Sequence, residues 1–199
     1  MSKHQKDLTI EKLMDKIKTY ITDENELSVI DKAYKYAYEK HFGQKRLTGE
    51  EYIIHPLNVA YILTRISADY ETLSAALLHD VVEDCGVSVS EIEENFGHNI
   101  AILVDGVTKI NKLNLSGTTE ALINNQRKIL VGLSEDVRVI IIKLADRLNN
   151  MQTLFVHSEK KQKETARETL DILTPIADRL GINSIKQDLE ELCLRYLKP

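Results

Sequence analysis

The sequence predicts an almost all-α protein, and three observations carry that reading. Glycine and proline are scarce, 8 and 3 in 199 residues, which leaves too few breakers for an all-β fold with many turns. Long runs are rich in Leu, Ile, Ala, Lys and Glu, side chains that favour helices. Within those runs apolar residues recur at spacings of three and four. Hydrophobic residues make up 43% of the chain, so the helices have enough apolar surface to build a core.

Ile10, Leu13, Met14, Ile17 and Ile21 place an amphipathic helix in the N-terminal stretch 1–26. Leu27, Ile30, Ala33, Tyr34, Ala37 and Tyr38 mark a second. The polar residues 43–51 read as a loop. His55-Pro56 then opens a third helix, with proline at a tolerated first-turn position. Residues 70–84 are expected as one helix. Ser88-Val-Ser-Glu91 is a capping-box signal for a short helix ending near Phe96-Gly97. Another helix covers 99–108. Residues 109–120 are polar, show little periodicity and read as a mobile surface loop. Helices follow at 121–133, 136–155, 159–180 and 184–197, giving roughly ten in all. The last opens on a weak Ser184/Gln187 box, runs through an apolar stripe of Ile185, Leu189, Leu192 and Tyr196, and makes 184–199 the C-terminal helical segment. No Ser/Gly/Pro-rich linker divides the chain, so 1–199 reads as a single domain. One short echo appears, Leu144-Ala-Asp-Arg-Leu148 and Ile176-Ala-Asp-Arg-Leu180.

The formal net charge of −5 argues against nucleic acid as the main ligand, because phosphate backbones favour basic faces. It leaves room for a small polyanion held by a local basic patch and a metal. Cys85 and Cys193 lie far apart and fit no zinc spacing, so they read as reduced thiols of a cytoplasmic protein. No apolar run is long enough to span a membrane, and the N-terminus lacks a signal-peptide core, so the expectation is a soluble protein with no membrane partner.

The run Leu73-Ser-Ala-Ala-Leu-Leu-His79-Asp80-Val-Val-Glu83-Asp84 carries the chemistry. Ionisable groups on the edge of an apolar helix cost stability unless they are paired or bound to a metal. His55, His79, Asp80 and Asp146 offer two imidazoles and two carboxylates from three helices. Such a set suits a six-coordinate divalent ion such as manganese, with zinc or iron as alternatives. Adjacent ligands at 79 and 80 can share one ion only if the helix ends there or the ion sits over its edge. The competing reading makes His79 a satisfied core histidine and Asp80 a surface cap. Glu83 and Asp84 lie four residues after His79 and Asp80, so on a helix each pair shares a face. A carboxylate beside a metal-activated water can take its proton and later return it to a leaving group. Clustered acids at a helix C-terminus also oppose the helix dipole and call for a cation.

Asp146, Asn150 and Thr153 recur at i, i+4 and i+7 on a helix that is buried by composition, so they form one polar stripe facing water or a ligand. Asp178, in the echoed segment, lacks that continuation because Gly181 ends its helix, and Asp146 is the better ligand. In the loop before His55, Arg46 can stack on a base or fork onto phosphate, and Thr48 can donate its hydroxyl. Lys45, taken alone, is an ordinary solvated charge. Lys160-Lys161 offers further charge for phosphate, or a solvated face.

Four segments together resemble the hydrolase domain of RelA/SpoT-type alarmone enzymes. They are Arg46-Leu-Thr-Gly-Glu-Glu-Tyr-Ile-Ile-His55-Pro, Leu78-His79-Asp80-Val-Val-Glu83-Asp84, Val104-Asp-Gly-Val-Thr-Lys109 and Lys143-Leu-Ala-Asp146-Arg-Leu-Asn-Asn150-Met-Gln-Thr153. The match runs in order from about residue 28 to the end, which is more specific than the generic His-Asp pair of HD phosphohydrolases. The resemblance implies a helical HD-domain fold that binds one Mn²⁺ and hydrolyses guanosine 3′,5′-bis(diphosphate) alarmones at the 3′ position, releasing pyrophosphate and GDP or GTP in stringent-response control. It implies His55, His79, Asp80 and Asp146 as metal ligands and Glu83 and Asp84 as the residues that position and activate water. By the same resemblance Arg46 packs on guanine, Thr48 holds the nucleotide with Lys45 beside it, and Asn150 and Thr153 line the sugar and base pocket. The segment 109–120 matches a loop that changes conformation in that family. Glu51, Asn149, Gln152 and Asp178 depart from the family's usual Pro, His, Arg and His, which bears on pocket detail rather than on the ligands.

The final stretch Leu189–Pro199 resembles the lead from hydrolase to synthetase in long bifunctional enzymes, so the expectation is an N-terminal piece of such a parent, with a stand-alone small hydrolase as the alternative. Two other functional classes compete. One is an HD phosphohydrolase of a different nucleotide. The other is a catalytically silent alarmone-binding regulatory module.

Overall fold

The computed structural model describes residues 8–112 and 136–198. Among the described residues the secondary structure is helical, apart from an isolated antiparallel bridge between Lys45 and Glu51. The expected helix at 121–133 and most of the expected loop at 109–120 lie outside the described residues. None of the described helices is long and apolar enough to cross a membrane. Contacts group the chain into two compact units, 1–109 and 110–199.

The first unit holds α1 (Ile10–Ile17), α2 (Glu24–Lys40), α3 (Ile54–Leu63), α4 (Tyr70–Leu78), α5 (Val81–Asp84), α6 (Val89–Phe96) and the bulk of α7 (His98–Asn111). α4 is its centre, packed against α2 and α3. Every residue from Thr72 to Leu78 is buried, which is why this segment carries no polar face. Asp69 caps it, accepting from the Thr72 amide at 2.7 Å. α2 opens on Asp23, whose carboxylate accepts from the Asn25 and Glu26 amides, and it buries Leu27, Ile30, Ala33 and Ala37. α6 keeps only half of its capping box. Ser88 Oγ accepts from the Glu91 amide at 3.1 Å, but the Glu91 carboxylate takes Tyr36 and Lys40 instead.

Several expectations need correction here and in the second unit. The helix expected over 70–84 is two helices, α4 and α5, with His79 and Asp80 in the turn between them. The helix expected to stop at 108 continues to Asn111, because Ile110 extends the buried stripe of Leu103 and Val107 and Lys109 pairs with Asp105 at 2.6 Å. The third concerns 159–180, described next.

The second unit holds α8 (Val137–Gln152), α9 (Glu159–Glu168), α10 (Thr174–Arg179) and α11 (Asn183–Leu197). α11 packs on α8, α9 and α10. The single helix expected over 159–180 is interrupted by a π-helical turn, Thr169–Leu173. Pro175 follows directly; it has no amide proton to give the Asp171 carbonyl, and its ring crowds that carbonyl, so the helix widens there. Threonine hydroxyls hold the carbonyls around the turn, Thr169 on Thr165 at 2.7 Å and Thr174 on Leu170 at 2.6 Å. α11 starts at Asn183 with Ile182 at its N-cap and no side-chain cap bond, so the Ser184/Gln187 box does not open it. Its buried stripe is Ile185, Leu189 and Cys193, with Leu192 only half-buried.

Candidate metal centre

The break between α4 and α5 builds the site. His79 is the C-cap of α4 and Asp80 the N-cap of α5. His79 Nδ1 lies 2.8 Å from the Ala76 carbonyl, which can only accept, so Nδ1 carries the ring proton. In the neutral ring Nε2 presents its lone pair, and it lies 3.1 Å from Asp80 Oδ1. His55, in the first turn of α3, brings its Nε2 to 3.4 Å from the other oxygen, Asp80 Oδ2. His55 and Asp80 are almost wholly buried and His79 is completely so. One donor atom from each of the three lies within 4.8 Å of the others.

These residues fit a divalent cation. Two acceptors at 3.1 Å, an imidazole lone pair and a carboxylate oxygen, repel unless something positive lies between them. A buried carboxylate beside two imidazoles is the mixed nitrogen and oxygen donor set of divalent transition metals. The Nδ1–H···O=C bond at His79 is the outer contact that usually orients a metal-ligating histidine.

Tyr52, which sequence reasoning quoted only as part of a motif, sits at the centre of the carboxylates. Its hydroxyl lies 2.8 Å from Asp80 Oδ2 and 2.7 Å from Asp84 Oδ2. Burial first, and then the charges of Asp80 and Asp84, push the phenol far above its ordinary range, so it stays protonated and a donor. Its ring stacks on His41 at 4.5 Å and 17° and stands edge-on to His55. His41 Nδ1 is 2.8 Å from Gln44 Oε1 and 3.4 Å from Cys85 Sγ. A tyrosine three residues ahead of a candidate ligand histidine, in a segment otherwise rich in charge, was the available signal.

Glu83 and Asp84 are exposed on α5, and Asp84 is the one joined to Tyr52. Arg46 and Thr48 are half-buried and Lys45 exposed, in a tight turn closed by the Arg46 amide on Glu50 and the Gly49 amide on Arg46, both at 2.9 Å. Gly49 has φ +86°, a left-handed conformation that suits glycine. The Tyr52 amide bonds back to the Gln44 carbonyl at 3.0 Å, so this turn leads straight into the site.

Asp146 belongs to the second unit, where it is 3% exposed on α8. Its Oδ2 accepts from Lys143 Nζ at 2.7 Å and its Oδ1 from Asn150 Nδ2 at 2.6 Å. The stripe of Asp146 and Asn150 is therefore a hydrogen-bonded pair, while the Thr153 hydroxyl turns back to its own helix carbonyls. The echoed Asp178 is exposed and paired with Lys186 at 2.6 Å.

Comparison with known proteins gives the family to which this geometry belongs. A family model described as "HD domain" matches residues 33–183. The chain is 50% identical over 170 residues, 85% of its length, to a guanosine-3′,5′-bis(diphosphate) 3′-pyrophosphohydrolase of Aquifex aeolicus. It is 47% identical over 187 residues to the Vibrio cholerae protein of the same name, and 46% identical over 187 residues to the GTP pyrophosphokinase rsh of Brucella ovis. It spans only about a quarter of the length of these relatives: 24%, 26% and 25%. A solved structure described as "A metazoan ortholog of SpoT hydrolyzes ppGpp and plays a role in starvation responses" matches with a TM-score of 0.64 and 27% identity, over 84% of this chain and 94% of that one.

Proposed function

This chain belongs to the HD-domain family, and we propose that it is a Mn²⁺-dependent hydrolase that removes pyrophosphate from the 3′ position of guanosine 3′,5′-bis(diphosphate) alarmones. The observation that carries the reading is the His55, His79 and Asp80 donor set, in a chain about half identical to a protein named for that reaction. We take the two units as one hydrolase domain, a reading supported by a family match that crosses their boundary.

In this proposal His55, His79, Asp80 and Asp146 hold the ion. Asp146 enters through the family resemblance, and its burial and double hydrogen bonding mark it as a preset carboxylate. When bound, the ion supplies Lewis-acid activation of water and of the phosphoryl oxygens. Glu83 and Asp84 accept the proton of the attacking water. Its oxygen bonds to the phosphorus attached to O3′, the P–O3′ bond breaks, and O3′ takes up a proton to give GDP or GTP beside pyrophosphate. Arg46 lays its planar guanidinium on the guanine, and Thr48, Lys45, Asn150 and Thr153 hold base, sugar and phosphates.

The physiological setting we infer is stringent-response control in a reducing cytoplasm, supported by the two free cysteines. We infer that the pyrophosphokinase activity in the Brucella name belongs to the three quarters of that protein this chain does not match.

The test is incubation with ppGpp and Mn²⁺, with products separated by anion exchange. GDP and pyrophosphate are expected in equal amounts, chelator stops their release, and Asp146→Asn abolishes it. Orthophosphate as the first product rejects the reaction. Preference for a non-guanosine nucleotide points to a different phosphohydrolase, and tight ppGpp binding without product points to a regulatory module.

A further inference from the structure

The geometry assigns Tyr52 a role of its own: it is a positioning residue whose hydroxyl ties the metal-ligand carboxylate Asp80 to the water-activating carboxylate Asp84. The inference rests on the hydrolase reading above.

Asp80 and Asp84 share one turn, with the Asp84 amide on the Asp80 carbonyl at 2.9 Å, but their side chains differ in circumstance. Asp80 is buried among imidazoles, whereas Asp84 is exposed on the four-residue helix α5. Short exposed helices leave a carboxylate free to sample several rotamers. The Tyr52 hydroxyl removes that freedom, because Asp80 Oδ2 and Asp84 Oδ2 both lie within a hydrogen-bond length of the same oxygen, at 2.8 and 2.7 Å. The phenol has one proton, which the two carboxylate oxygens share, and each carboxylate keeps that oxygen turned to the phenol.

The phenol is itself held from several sides. Its ring is stacked on His41, which is anchored to Gln44, and its backbone amide bonds to the Gln44 carbonyl. On the other side the ring meets His55 edge-on, so the same aromatic body spaces one ligand histidine from the carboxylates. A hydroxyl on so constrained a ring has a fixed place, and that place registers the proton acceptor against the metal site. Outer contacts of this kind to a metal-ligating carboxylate commonly set both ligand orientation and affinity.

The experiment is Tyr52→Phe, which keeps the ring and its contacts and deletes only the hydroxyl. Calorimetry with Mn²⁺ alone should show its dissociation constant raised by roughly tenfold. At saturating Mn²⁺, kcat for ppGpp should fall about 10- to 100-fold while KM stays within about twofold, the split expected when a proton acceptor loses its register but the nucleotide contacts remain. Adding Tyr52→Phe to Asp84→Asn should cost less than about twofold more in kcat, because the tether then has nothing to position. Wild-type Mn²⁺ affinity together with wild-type kcat in Tyr52→Phe overturns the assignment, as do fully additive losses in the double variant. If the unaltered chain binds Mn²⁺ but does not hydrolyse ppGpp, the hydrolase reading fails instead, and the calorimetric comparison alone decides whether Tyr52 supports the metal ligand.

Discussion

Asp80→Asn is expected to make the metal-free protein more stable while abolishing its response to metal. Asp80 Oδ1 lies 3.1 Å from His79 Nε2, an acceptor when the ring is neutral, and Oδ2 accepts from Tyr52 at 2.8 Å. An amide fits both needs. Its NH₂ in the Oδ1 place donates to His79 Nε2, and its carbonyl in the Oδ2 place keeps the Tyr52 bond. A repulsive pair of acceptors thus becomes a buried hydrogen bond, worth about 1 kcal/mol. For a chain of this size that is a rise in Tm of roughly 2–4 °C. The unaltered protein should gain more from the ion: Mn²⁺ at a hundred times its dissociation constant adds about 2.7 kcal/mol. By the same conversion its Tm should climb by roughly 5–10 °C. The assay is scanning calorimetry of both proteins at pH 8, each with chelator and with Mn²⁺. The expected pattern is a crossover, the variant melting higher in chelator and lower in Mn²⁺. A variant that melts several degrees below the parent in chelator would show that Asp80 is held by cations of the protein itself, and a Mn²⁺ shift that survives the substitution would show that the ion binds elsewhere.

Two further outcomes follow from burial. The Cys193 thiol is pushed up to about 11 by burial, and Cys85, half-buried, is raised as well, so at pH 8 a disulfide reagent should label Cys85 first and reach Cys193 only in denaturant; equal rates would contradict the packing of α11. Burial and its hydrogen bond to Glu91 push Tyr36 up to about 12 from an ordinary 10.0, so its contribution to stability is complete below pH 10.0 and lost as pH rises through about 12. Tyrosinate absorbance should show that late-titrating phenol disappear in Tyr36→Phe, and a titration identical to the parent would refute the α2–α6 contact.

Periodicity made α2 and α11 legible, because each buries one stripe and wets much of the rest, whereas α8 was legible as a helix buried on most sides. It misread the elements whose boundaries lie inside apolar runs. The break at His79 and Asp80 leaves the pattern of Leu77, Leu78 and Val81 undisturbed, since all three are buried on either side of it. The π turn likewise buries Ile172 and Leu173, and only Pro175 signalled it. In the site, the candidate donor cluster of His55, His79 and Asp80 draws on residue types that are costly to bury. Tyr52 offered only its place three residues ahead of His55, because a tyrosine declares little chemistry until its neighbours are known. Lys143 lies in the sequence as one residue of a buried helix, and only side-chain geometry shows its ammonium spent on Asp146.

The break is also the economical way to make adjacent residues into ligands. On a continuous helix successive side chains point about 100° apart, so His79 and Asp80 would diverge from any common point. Ending α4 at 79 removes that constraint but exposes its last carbonyls, and a helix end inside a core needs partners for them. His79 answers that demand itself, since its Nδ1 proton is given to the Ala76 carbonyl. Capping through Nδ1 leaves Nε2 as the acceptor and aims it away from the helix it terminates, toward Asp80. Asp80 in turn starts the next helix, its carbonyl taking the Asp84 amide at 2.9 Å. Asparagine can cap a carbonyl but is too short to reach beyond it, and lysine would deliver a second positive charge where a cation must bind. The histidine thus serves the fold's need for a stop and offers the candidate site a lone pair, which is how a pair so unpromising on a straight helix can become two neighbouring donors.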